Sequence, residues 1–109
     1  MTEKSIFNKL FEVIESRKKI NPEESYVSSL FNKGTEKINS KIIEEANEVC
    51  EASLESDKEH LIHEICDLFF HLFVLTSYKE IKLSEVEKEL ERRFGKSGLL
   101  EKKERGEKK

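Results

Sequence analysis

Two acidic runs, Glu44-Glu45-Ala46-Asn47-Glu48 and Glu64-Ile65-Cys66-Asp67, hold the residues of this chain best suited to chemistry. Within each run carboxylates recur at three or four residues, the spacing that places side chains on one face of an α-helix. At about 100° per residue, Glu44, Glu45 and Glu48 fall within about a 100° arc, and Glu64 and Asp67 within about 60° of each other. Two such helices packed face to face collect four or five carboxylates, which is very costly unless cations sit among them. An all-oxygen donor set suits Mg²⁺, with Mn²⁺ as a substitute. A divalent cation held with open positions is suited to attack on a phosphate chain. For Glu44 or Glu45 alone the competing reading is a solvated helix face. Asp67 is the sharpest residue, because Ile65, Cys66, Leu68, Phe69 and Phe70 surround it in sequence. An acid in such company is rarely free, and either a cation or a basic partner such as Arg92 or Arg93 would satisfy it.

The elements that must position these acids are helices. Ile6, Leu10, Val13 and Ile14, with Phe7 and Phe11, predict a first helix over about Ser5 to Lys19, which Asn21-Pro22 breaks. Ser25 is placed to cap a short helix from Tyr26 to Phe31, and Gly34 to stop it. A long third helix, about Glu36 to Ser56, carries the first acidic run and an apolar face of Ile38, Ile42, Ala46 and Val49. Asp57 caps a fourth helix to about Tyr78, apolar nearly all round in its second half and therefore central. Ser84, with Glu87 at the box position, is expected to cap a fifth helix to Phe94, ended by Gly95 and Gly98. No strand, repeat or second domain is indicated. The chain reads as one all-α bundle of about five helices over residues 1–100, and a charged tail, 101–109, that frays into solvent.

Bulk properties narrow the function. At 109 residues there is room for one small core, so a homodimer formed through helices is expected. A net charge of −3 argues against a nucleic-acid partner. The apolar stretch from Ile65 to Leu75, broken by Asp67 and His71, is too short to span a bilayer, and the N-terminus leads into an amphipathic helix with no apolar signal core. Cys50 and Cys66 lack CxxC spacing and read as buried, reduced thiols, as expected of a cytoplasmic protein.

Anionic phosphates need basic groups. Lys33, Lys37 and Lys41 are the nominees, with Arg17 and Lys18 behind them, and a solvated surface role competes for each. Lys37 and Lys41 lie one turn apart and lead directly into the first acidic run. On the fourth helix His60, Glu64, Asp67 and His71 form a polar ridge, in which His71 is placed to hydrogen-bond Asp67 or to sit as a satisfied core histidine. His60 and His63 read as surface residues. A zinc set of His60, His63 and Cys66 is disfavoured, because three-residue steps drift around a helix. Tyr26 is expected to pack into the core, with stacking on a nucleotide base as the lesser alternative.

These residues resemble the MazG-type all-α nucleotide pyrophosphohydrolases and, within them, the phosphoribosyl-ATP pyrophosphohydrolases. Glu44-Glu45-x-x-Glu48 followed by Glu64-x-x-Asp67 carries the wider resemblance. Ser25-Tyr26-Val27 with Leu30, Lys33 and Gly34, then Lys41 to Glu45, Asp67 to His71 and Glu89 to Arg93, carry the narrower one, and Arg17 and Lys18 fit the end of the first helix. It spans roughly Leu10 to Lys102. The sequence departs from the family pattern at Val27, Ile43 and Phe70, where threonine, glycine and tyrosine are common, which leaves the acids intact. The resemblance implies Mg²⁺-dependent hydrolysis of phosphoribosyl-ATP to phosphoribosyl-AMP and pyrophosphate, in histidine biosynthesis, by a dimer. It implies metal ligation by Glu45, Glu48, Glu64 and Asp67, with Glu44 beside them as a further catalytic acid. The nearest alternative keeps the chemistry and changes the substrate to dUTP, dCTP or another nucleotide. A different class of answer is a helical interaction module without catalysis, which a buried Asp67 disfavours.

Overall fold

Caps and breakers cut the chain into five helices in the computed structural model, which describes residues 4–94. They are α1 (Ile6–Arg17), α2 (Tyr26–Lys33), α3 (Thr35–Ala52), α4 (Lys58–Tyr78) and α5 (Leu83–Arg93). Ser5, Ser25 and Asp57 each accept a hydrogen bond from the backbone N–H three residues on, which satisfies an orphan donor of the first turn. Asn21 Oδ1 accepts from the Glu23 N–H at 2.9 Å and folds the segment around Pro22 into a turn. Gly34 both ends α2 and begins α3, at φ 92°, in the left-handed region that glycine enters without a Cβ penalty.

Two boundaries depart from the sequence expectation. α3 stops at Ala52, the last residue of its buried face, where successive bonds back three residues (Leu54 N to Glu51 O, Glu55 N to Ala52 O) tighten the chain out of the helix. α5 begins one residue before Ser84, and the cap position falls on Lys82, whose N–H donates to Glu85 at 2.9 Å. Starting at Leu83 lets Leu83, Val86 and Leu90 share one face toward α4. Gly95, Gly98 and the tail lie outside the described residues.

The core is Ile14, Val27, Leu30, Ile38 and Val74, one or two residues from each of α1 to α4. α4 packs most extensively on α3 and next on α1, so it is the axis of the fold. Phe7 meets Phe69 and Phe73 edge-on with ring centroids 5.5 and 5.9 Å apart, and Phe31 meets Tyr78 at 5.2 Å. A polar tie joins α1 to α4 as well: the buried Ser77 hydroxyl donates to Glu15. The Lys18 ammonium foremost, then that hydroxyl, holds the Glu15 carboxyl below its usual pKa.

One expectation is corrected here and two are qualified. Cys50 and Cys66 are free but exposed, not buried, because each falls beside the packed stripe of its helix. α4 is central, yet it leaves Phe69 and Leu72 more than one-third exposed on the side away from α3. α4 as a whole, at 21 residues and mean hydropathy 1.3 over its most apolar window, is long and apolar enough to cross a membrane by composition. Its Glu64 and His71 are buried against neighbouring helices instead, which is the placement of a core helix.

Candidate active site

The short turn between α3 and α4 makes them antiparallel neighbours, and the two acidic runs meet across that contact. One oxygen from each of Glu45, Glu48 and Glu64 lies within 4.8 Å of the others. One ligand-capable atom from each of His63, Glu64 and Asp67 does the same, so Glu64 belongs to both groups. The four acids expected to hold a metal thus come together around Glu64.

Their burial is graded. Glu45 and Glu64 are 6% and 9% exposed, Glu48 and Asp67 are half-buried, and Glu44 is exposed. Burial first, and then the nearby carboxylates of Glu48, Asp67 and Glu64, push the Glu45 carboxyl up to about 7. Glu45 Oε2 and Glu64 Oε1 are buried with no hydrogen-bond partner. Orphaned buried oxygens in an acidic cluster are what a bound cation would satisfy, so these residues fit a hard divalent metal. Cys66 belongs to neither group of convergent ligands, which removes the zinc arrangement among the described residues.

Glu44 stands apart from the other acids. Lys41 Nζ lies 2.9 Å from its Oε2, and that ammonium holds the Glu44 carboxyl below its usual pKa. Lys37 also acts on Glu44 through its charge. Lys37 and Lys41 therefore lie on the Glu44 side of the cluster. Arg17 and Lys33 do not: they end α1 and α2, exposed, with no contact to the acids among the described residues. Lys18 binds Glu15 at 2.7 Å. Arg92 and Arg93 both reach Glu89 on their own helix, and among the described residues the neighbour of Asp67 is His63, with 3.4 Å between Nε2 and Oδ2.

The histidines carry what the sequence did not resolve. His71 is buried, and its Nδ1–H donates to the main-chain carbonyl of Asp67 at 2.9 Å, not to the Asp67 carboxylate. That bond fixes the tautomer, so Nε2 accepts the Tyr26 hydroxyl at 2.8 Å. Tyr26 also stacks on Phe70, at 6.0 Å and 18°, while about half of it stays exposed beside the acids. Burial, before the charges of Glu45, Glu44 and Asp67, raises the Tyr26 phenol pKa. His60, expected as a plain surface residue, faces two acids: Nδ1 lies 2.9 Å from Glu55 Oε1 and Nε2 lies 3.2 Å from Glu64 Oε2. Spacing of four residues signals His60–Glu64 and His63–Asp67; nothing local signals Tyr26–His71 or Glu55–His60.

The fold is an all-α bundle in which carboxylates from two antiparallel helices converge. A family model described as phosphoribosyl-ATP pyrophosphohydrolase matches residues 7–94, nearly all of the described chain, and the chain belongs to that family of enzymes. It is 49% identical over 100 residues to the phosphoribosyl-ATP pyrophosphatase of Ruthia magnifica subsp. Calyptogena magnifica, covering 92% of this chain and 95% of the relative. It is 50% identical over 93 residues to the protein of that name from Clostridium acetobutylicum, covering 85% and 84%. With the Neisseria meningitidis serogroup B protein of the same name the identity is 45% over 103 residues, covering 94% and 96%.

Proposed function

We propose that this chain hydrolyses phosphoribosyl-ATP to phosphoribosyl-AMP and pyrophosphate, with Mg²⁺, in histidine biosynthesis, as a soluble cytoplasmic enzyme. The observation that carries the metal reading is the pair of orphaned buried oxygens on Glu45 and Glu64. Glu45, Glu48, Glu64 and Asp67 would hold the metal, with Mn²⁺ as a substitute. Bound there, the metal supplies charge neutralisation for the phosphate chain and acidifies water. Lys37 and Lys41 border the acids and offset phosphate charge. When phosphate draws Lys41 away, the released Glu44 carboxylate is free to orient water. Water adds at the α-phosphorus, the bond from that phosphorus to the α–β bridging oxygen breaks, and pyrophosphate leaves.

The proposal includes a homodimer. Phe7, Phe69, Leu72, Phe73, Val86 and Leu90 line an apolar groove of about 430 Å³ between α1, α4 and α5. None of the residues of α5 is buried within one chain. A second copy covering this face would supply the burial that a single chain of this size lacks.

The test is pyrophosphate release from phosphoribosyl-ATP by the purified chain, with and without Mg²⁺, beside dUTP, dCTP and ATP. Fast Mg²⁺-dependent release from phosphoribosyl-ATP alone is expected. Release only from the deoxynucleotides would move the protein to nucleotide clearance, and release from none by folded protein would overturn the enzymatic reading.

A further inference from the structure

Glu64 divides its two oxygens between different surroundings. Oε2 faces His60 Nε2 at 3.2 Å, whereas Oε1 is buried without a partner. His60 is itself held from three directions. Its backbone N–H is bound by the Asp57 cap at 3.1 Å, its Nδ1 by Glu55 at 2.9 Å, and its Nε2 by Glu64. Glu55 comes from the turn that follows α3, so the ring closes a link across the α3–α4 junction. A simple pair between residues four apart on one helix would not need that third member.

We propose that His60 is a positioning residue for cation binding: it holds one oxygen of Glu64 so that the other is presented to the metal, and Glu55 fixes the ring from behind. The inference rests on the metal reading given under Proposed function. A glutamate has three side-chain torsions, and in a cluster of like charges the unrestrained side chain lowers its energy by turning toward solvent. A donor on one oxygen removes that escape before the cation arrives, as the hydrogen-bonded partners of metal-ligating carboxylates commonly do. Glu64 Oε2 accepts and does not donate, so the contact at 3.2 Å is an N–H given by the ring.

The experiment is Mn²⁺ binding to the full chain, read from the loss of the free-ion EPR signal, in the parent, His60→Ala and His60→Gln. Each protein's helical content and melting midpoint are measured alongside. His60→Ala is expected to weaken Mn²⁺ affinity by about 10- to 100-fold. His60→Gln is expected to return it to within about threefold of the parent, because an amide N–H four residues from Glu64 can make the same bond. Should His60→Ala fail to fold, His60→Leu fills the position without a donor and carries the same expectation. Parent-like affinity in the variants lacking a donor overturns the inference and leaves the metal reading standing. Equal loss with no rescue by glutamine also overturns it, since ring packing would then be the cause. If the parent binds no Mn²⁺, the metal reading falls and this inference falls with it.

Discussion

The two sides of α4 are opposites in what they leave unsatisfied. Toward α3 it buries Glu64 among acids, with an oxygen that lacks a partner. Toward α5 it exposes Phe69 and Leu72 to an open apolar groove. The first side leaves buried carboxylate oxygens unpartnered and the second lacks apolar cover. Each deficit names what would relieve it, a cation on one side and another apolar surface on the other. A helix satisfied on both sides would carry no such information.

The largest effect should come from breaking the acidic side. Glu48→Ala or Asp67→Asn is expected to lower turnover of phosphoribosyl-ATP by about a thousandfold or more, consistent with the several kcal/mol that a bound metal contributes to the transition state. Far-ultraviolet circular dichroism should show the helices intact. Normal turnover in both variants would sink the metal assignment.

Breaking the apolar side should leave a different trace. Phe69→Asp places a charge beside Phe7 in the groove, and its expected outcome is a halving of mass by light scattering. An unchanged mass would remove this face from the dimer.

The acidic side can also be sharpened without a substrate. In metal-free protein the Glu45 carboxyl titrates near 7, against 4.5 for the ordinary group, so the folded state keeps a proton that the unfolded chain has lost. Metal-free stability should therefore fall as pH rises from 4.5 through about 7. Glu45→Gln should flatten that fall and raise metal-free stability at pH 8 by about 1–2 kcal/mol, while weakening the gain in melting midpoint that Mg²⁺ gives the parent. A steeper fall in the variant would show that burial of Glu45 among like charges is not the cause.

The smallest effect lies at the start of α2. Tyr26→Phe keeps the stack on Phe70 and removes the hydroxyl that His71 Nε2 accepts, at an expected cost of about 1 kcal/mol in denaturant unfolding. A neutral result would mean that water replaces the phenol.

The existence and order of the five helices were legible because apolar spacing, caps and breakers agree along the chain. The acids were legible for the same reason: their spacing survives folding, and α3 and α4 are joined by too short a turn to pack elsewhere. What escaped depended on distance in sequence. Tyr26 and His71 are 45 residues apart, and no periodicity links them. Arg92 and Arg93, the basic alternative to a cation at Asp67, reach Glu89, three and four residues away on their own helix. The thiols were misplaced because apolar neighbours in sequence surround a helix, whereas burial takes only one side of it.

Gly34 has a consequence for how a ligand would be received. One residue ends α2 and starts α3, so no slack separates them. Val27, Ser28 and Leu30 pin α2 into the core, and the Ser28 hydroxyl ties it back to the Ile20 carbonyl. The helix that carries Tyr26 is thus a fixed wall beside the acids and not a flap that swings over them. A molecule bound there meets a surface already in place, and little ordering entropy is spent in receiving it. Discrimination at this edge would then follow from shape at first encounter, not from closure afterwards.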